Sequence, residues 1–204
     1  MRTVRERLRG GAALAGVAVA AALVSGCGIR PTVPVDAGAA PSRLPCSLSG
    51  DEAAPRAQED VPVRVYLVCA SGLEAVERAV GAAAAEKGRH SRVEVARLLL
   101  GQLGAEPTAR EREAGFTTYV QSPLTVSAGR EGDPAQALRL GLQPEDLAPA
   151  ALSQIVCTYA EHAATTAGER TVLLGGPGDY PVRRYVCTRE LKERPESPAP
   201  TESP

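Results

Sequence analysis

Residues 61–69 read VPVRVYLVC, and ASGLEAVERAV follows at 70–80. Val61, Val63, Val65, Leu67 and Cys69 fall on alternate positions, which is the period-two signature of a strand with one face in a core. Ala70-Ser71-Gly72 supplies a turn. LEAVERAV, 73–80, can return as a second strand, although its Ala and Glu content also permits a helix. The alternation at 61–69 decides the fold, because an opening hairpin gives the later helices a sheet to cover.

Downstream, GAAAAEKGRHS, 81–91, reads as a loop, and Ser91 is placed to cap a helix over RVEVARLLLGQL, 92–103. Val95, Leu98, Leu99 and Leu103 recur at helical spacing, and Gly104 ends the run. Pro107-Thr108 opens a short turn, TARERE, stopped by Gly115. FTTYV (116–120), LTVSA (124–128) and QALRLGL (136–142) read as extended pieces. A second helix spans about 149–164, with Leu152, Val156, Tyr159 and Ala163 on one side. TVLLGG (171–176) and PVRRYVC (181–187) read as strands around the turn PGDY. Strands interleaved with two long helices predict a single small α+β domain over 61–188, a mostly antiparallel sheet with both helices on one face. The tail RELKERPESPAPTESP, 189–204, is charged and rich in Pro, so disorder is expected there.

Upstream the composition changes. MRTVRERLR carries four Arg, AALAGVAVAAALV (12–24) is apolar throughout, and Ser25-Gly26-Cys27 follows. A charged start, a short apolar run and small residues describe a signal peptide over 1–26. The run has 13 residues, whereas a membrane-spanning helix needs about 20. Val24-Ser25-Gly26-Cys27 resembles the bacterial lipobox. That resemblance implies cleavage before Cys27 and acylation of its thiol by chains such as palmitate, which hold the protein to the extracytoplasmic face of a membrane. One chain alone anchors weakly, and several anchor firmly. Residues 27–60, with Pro31, Pro34, Pro41, Pro45 and Pro55, read as a flexible linker.

Setting Cys27 aside leaves Cys46, Cys69, Cys157 and Cys187. Four cysteines in an exported chain predict two disulfides, with three possible pairings. Strand parity favours Cys69 with Cys157, which leaves Cys46 for Cys187. Zinc is disfavoured, since there is no Cys-x-x-Cys and the only histidines are His90 and His162. No cofactor or metal is expected.

The order of the pieces resembles the GerMN domain of sporulation, spore-germination and actinobacterial envelope proteins. Its carriers are VRVYLV with Gly72 and VERAV, then ARLLLGQLG, then PTAREREAGFTTYV, then ALSQIVCTYA and TVLLGG. The match runs over 61–176. A compact Gly-Pro-Thr turn of that family is lengthened here to Gly104-Ala105-Glu106-Pro107-Thr108. The resemblance implies an extracytoplasmic binding or assembly module with an envelope protein or cell-wall partner, and it carries no catalytic set.

The remaining motifs weigh toward structure. Gly175-Gly176-Pro177-Gly178 lacks the Gly-Lys-Ser/Thr ending of a phosphate loop and reads as a turn. Ser71, Ser122 and Ser153 lack a Gly-x-Ser-x-Gly elbow. His162 reads as a helix-surface residue. Glu111 and Glu113, among Arg110 and Arg112, read as a solvated face, with Glu111 able to tie the turn to the backbone. A net charge of −1 gives no basic stripe for nucleic acid. The chain is therefore expected to be a non-catalytic lipoprotein. The alternative is an envelope hydrolase.

Overall fold

A computed structural model describes residues 46–48, 60–70, 72–82 and 91–202. All of them belong to the compact unit Ser42–Pro204. Cys27, the signal peptide and most of the linker lie outside the described residues.

The quoted stretch forms the expected hairpin. Strands β1 (Asp60–Cys69) and β2 (Gly72–Gly81) pair antiparallel along their full length, from Asp60 opposite Gly81 to Cys69 opposite Gly72. The strand alternative for LEAVERAV therefore prevails over the helix. The N-terminal half of β1 alternates in exposure, while Val65 to Cys69 are buried on both faces. The second face is covered by elements from the far end of the chain.

Four helices and six further strands follow among the described residues. They are α1 (Arg92–Gly104), α2 (Ala109–Glu113), β3 (Phe116–Thr117), β4 (Val126–Ala128), β5 (Leu138–Leu140), α3 (Pro149–Glu161), β6 (Thr171–Gly175), β7 (Arg183–Val186), α4 (Arg189–Glu193) and β8 (Thr201–Glu202). The strands divide between two sheets, ordered β2-β1-β3 and β4-β5-β6-β7-β8, and only β5–β6 is parallel. The mostly antiparallel α+β architecture is what the chain builds.

Ser91 caps α1, its side chain accepting the Glu94 N–H. The buried stripe of α1 is Ala96, Leu99, Leu100 and Leu103, so it is rotated from the expected one and leaves Val95 and Leu98 only partly covered. The core is aliphatic, with Leu67, Leu99, Leu103, Leu138, Ile155 and Leu174 fully enclosed around Tyr159 and Tyr185.

Helix α3 does more than cover a face. Strand β3 pairs only with Val68 and Cys69, which leaves the rest of that edge of β1 open. Gln154 and Thr158 lie one turn apart on α3 and close it. The Gln154 amide donates to Tyr66 O at 2.9 Å, and Tyr66 N–H donates to Thr158 Oγ1 at 3.0 Å. One turn further, a ring nitrogen of His162 sits 2.9 Å from Arg64 O. A strand edge is thus satisfied by helix side chains at i, i+4 and i+8, which is the full accounting that buried backbone demands.

Two expectations are corrected. The disulfides are Cys46–Cys69 and Cys157–Cys187, with Cα separations of 5.6 and 4.9 Å, and not Cys69–Cys157 with Cys46–Cys187. Parity correctly buries Cys69, but Cys69 ends β1 beside β3, and Cys46 N–H donates to Ala114 O, at the end of α2 just before β3. That contact brings Cys46 within bonding range. Cys157 meets the end of β7 instead. The tail is the second correction. Residues 189–202 are ordered: Thr188 caps α4, Leu191 enters the core, and β8 pairs with Arg184 and Tyr185 of β7. Composition counts the charges and prolines, but a core leucine, a buried Pro195 and a paired edge outweigh them.

Candidate functional site

A groove of about 700 Å³ lies beside the hairpin. Cys46 and Leu48 wall one side, Val76 and Arg78 of β2 another, and Gln102, Glu111 and Phe116 the rest. A buried ion pair lines it. Arg78 Nε donates to Glu111 Oε1 at 3.0 Å and Arg78 Nη2 to Glu111 Oε2 at 2.9 Å, a two-pronged contact. Arg78 Nη1 donates to Gln102 O. Glu111 also forms a capping box: its carboxylate accepts Thr108 N–H at 2.7 Å, and its own N–H donates to Thr108 Oγ1 at 3.2 Å. Burial pushes the Glu111 carboxyl up, but hydrogen bonds from Arg78 and Thr108 and the Arg78 charge outweigh it and hold the carboxyl below its ordinary value.

Glu111 is therefore not on a solvated face; it is 3% exposed, while its neighbours Arg112 and Glu113 are exposed. Arg110 reaches across to Leu48 O at 2.8 Å and holds the segment after Cys46 against the groove. The pieces that carry the sequence resemblance meet here. Arg78 comes from VERAV, Gln102 from LLLGQLG, and Thr108 and Glu111 from PTARERE. An engaged carboxylate and guanidinium brace a cleft and offer it fixed charge. Such an arrangement can present a fixed shape and polarity to a ligand.

The other singled-out residues are dispersed. Ser71 and His90 lie outside the described residues. Ser122 Oγ sits 3.5 Å from Gly104 O. Ser153 is fully buried and donates to Pro195 O at 3.0 Å. His162 is occupied at the edge of β1, so none of these groups is paired as nucleophile and base among the described residues. No cluster of three or more His, Cys, Asp or Glu suited to a metal occurs among the described residues. No helix among them is long and apolar enough to cross a membrane.

The Gly175–Tyr180 turn presents carbonyls rather than amides. Arg139 Nη1 donates to Gly176 O at 2.7 Å and to Tyr180 O at 3.0 Å, and Arg130 donates to Gly178 O. A phosphate loop needs N–H groups pointing inward, and this turn wraps a guanidinium. Asp133 completes the clasp at 2.7 Å to both Arg139 Nε and Nη2. Those bonds, with the Arg130 N–H, hold the Asp133 carboxyl down at about 2. Nothing in the sequence pattern marks this clasp, since Asp133 lies in a Gly-Asp-Pro turn and Arg139 looks like the polar position of a strand.

A second polar cluster lies near the same turn. The phenols of Tyr180 and Tyr185 and Arg183 Nε are buried without an aligned hydrogen-bond partner among the described residues. Arg183 Nε is 3.5 Å from a Glu145 oxygen. Burial, then the nearby Tyr180 and Glu145, keeps the Tyr185 phenol firmly protonated.

Comparison with family models, with curated proteins and with solved structures finds no match to this chain.

Proposed function

We propose that this chain is a lipoprotein anchored through Cys27 on the extracytoplasmic face of a cell membrane, carrying a GerMN-like, non-catalytic binding or assembly module. The observation that carries the reading is the pairing of the cysteines. All four downstream of Cys27 are consumed in two bridges, which leaves Cys27 as the unpaired thiol at the end of a lipobox-like stretch. Stable bridges belong to oxidising compartments, in agreement with a signal peptide. The braced groove supports recognition of an envelope protein or cell-wall partner, and the meeting of Arg78, Thr108 and Glu111 supports the GerMN resemblance.

Metabolic labelling with an alkynyl fatty acid tests the anchor. The intact chain is expected to take up label and to sediment with membranes, and Cys27→Ser to lose both. Label retained by Cys27→Ser would overturn the anchor. Crosslinking in intact cells tests the module. Capture of an envelope protein or wall fragment through groove positions supports it. Hydrolysis of wall polymer by the purified domain, abolished by His162→Ala, would overturn the non-catalytic reading.

A further inference from the structure

The corrected tail carries an inference beyond the envelope reading and independent of it. Cys187 is bolted to α3 through Cys157. The end of β7 is therefore fixed whatever the residues after it do. Beyond that bolt, Leu191 enters the core and Lys192 Nζ donates to Tyr66 OH at 2.6 Å, 4.3 Å above the ring centre. Pro195 O accepts Ser153 Oγ, and the last contact is the two-residue strand β8, both of whose residues are exposed. The other charges at α4 pair among themselves, Arg189 with Glu193 and Arg194 with Glu190, on its solvent side. Lys192 O passes so close to Gly72 that a Cβ there would stand 3.3 Å from it, so the segment lies directly on the hairpin backbone.

We infer that residues 188–202 form a strap that opens as a unit of its own while the domain stays folded, and that the Tyr66–Gly72–Ser153 surface beneath is a docking site. A segment held by Leu191, a buried Pro195, a partly buried Ala199, a few hydrogen bonds and an exposed two-residue strand opens before the global fold does. The strap itself shows what the surface takes: a one-turn peptide presenting a leucine followed by a cation. Tyr66 supplies the hydroxyl and ring for that cation, and Ser153 supplies a donor for a carbonyl three residues further on. A partner of that chemistry competes with the chain's own strap.

Hydrogen exchange on the full chain tests the opening. Amides of 189–202 are expected to exchange together and at least tenfold faster than those of α3 and β6. In Leu191→Ala they exchange faster still, with α3 and β6 unchanged. Exchange of the strap at the rate of α3 and β6, or an equal rise in all three, overturns the inference. Radical footprinting of the same variant tests the surface. Tyr66 is expected to become reactive while Tyr159, fully buried and bonded to Ala96 O, stays protected. Excess synthetic TRELKERPESPAPTE is expected to restore Tyr66 protection, and the same peptide with Leu191→Ala is not. Failure of the first peptide, or equal success of both, overturns the docking site.

Discussion

Two arginine–carboxylate pairs, one buried and one partly buried, sit in the two sheets' halves of the domain, and they are built on opposite plans. Arg78 and Glu111 stand 33 residues apart and join β2 to α2 across a groove. Asp133 and Arg139 stand six apart and close a local loop onto the β6–β7 turn. Arg78 has one carbonyl besides its carboxylate, whereas Arg139 has the carbonyls of Gly176, Gly178 and Tyr180. The first pair is a long-range brace with little redundancy, and the second is a clasp with spare partners. A buried ion pair contributes less by its attraction than its loss costs, because the survivor is left charged and dry. The number of spare partners therefore sets the damage.

The largest effect is expected from Glu111→Ala. It leaves Arg78 beside Gln102 O alone and also removes the capping box, so urea unfolding should show a loss of about 3–5 kcal/mol. The double variant Arg78→Met with Glu111→Leu should recover most of that loss. A single-variant cost below about 1 kcal/mol would break the contrast. Asp133→Ala should cost less, about 1.5–3 kcal/mol, the range for hydrogen bonds to charged groups, because three carbonyls still hold Arg139.

Acid sharpens the same comparison. Both carboxyls are held below their ordinary values in the folded state, so the unfolded chain binds protons more readily and stability falls as pH drops. For Glu111 the fall begins as pH passes 4.5, and for Asp133 it runs from 3.8 to about 2. In Asp133→Asn the lower part of that slope should flatten in an acid titration followed by circular dichroism. Unchanged slope would remove Asp133 from the clasp.

Smaller again is Thr158→Val, which leaves Tyr66 N–H without its acceptor at the sealed strand edge. A cost of about 1–2 kcal/mol is expected, with faster exchange of the Tyr66 amide. Arg189→Ala touches only an exposed pair on α4, and the unfolding midpoint should not move.

Local pattern carried much of the architecture. The alternation at 61–69 and the Ser91 cap depend on neighbours in sequence and form as expected, and the leucine run of α1 makes its helix with the buried stripe rotated. Features made by distant residues were not legible. Glu111 sits in a run of alternating charge that looks solvated until Arg78 arrives from β2. Gln154, Thr158 and His162 look like a polar face, and only the unpaired edge of β1 gives them a task. The pairing of cysteines depends on which strand end meets which loop. The tail misled because composition averages over sixteen residues, while Leu191 and Pro195 are buried and Ala199 packs against the core.

The most direct measurement is mass spectrometry of the non-reduced protein isolated from membranes. The expected result is a mature chain beginning at an acylated Cys27, with peptides linked only as Cys46–Cys69 and Cys157–Cys187. A free unmodified Cys27, or a Cys69–Cys157 link, would contradict the reading of fold and anchor together.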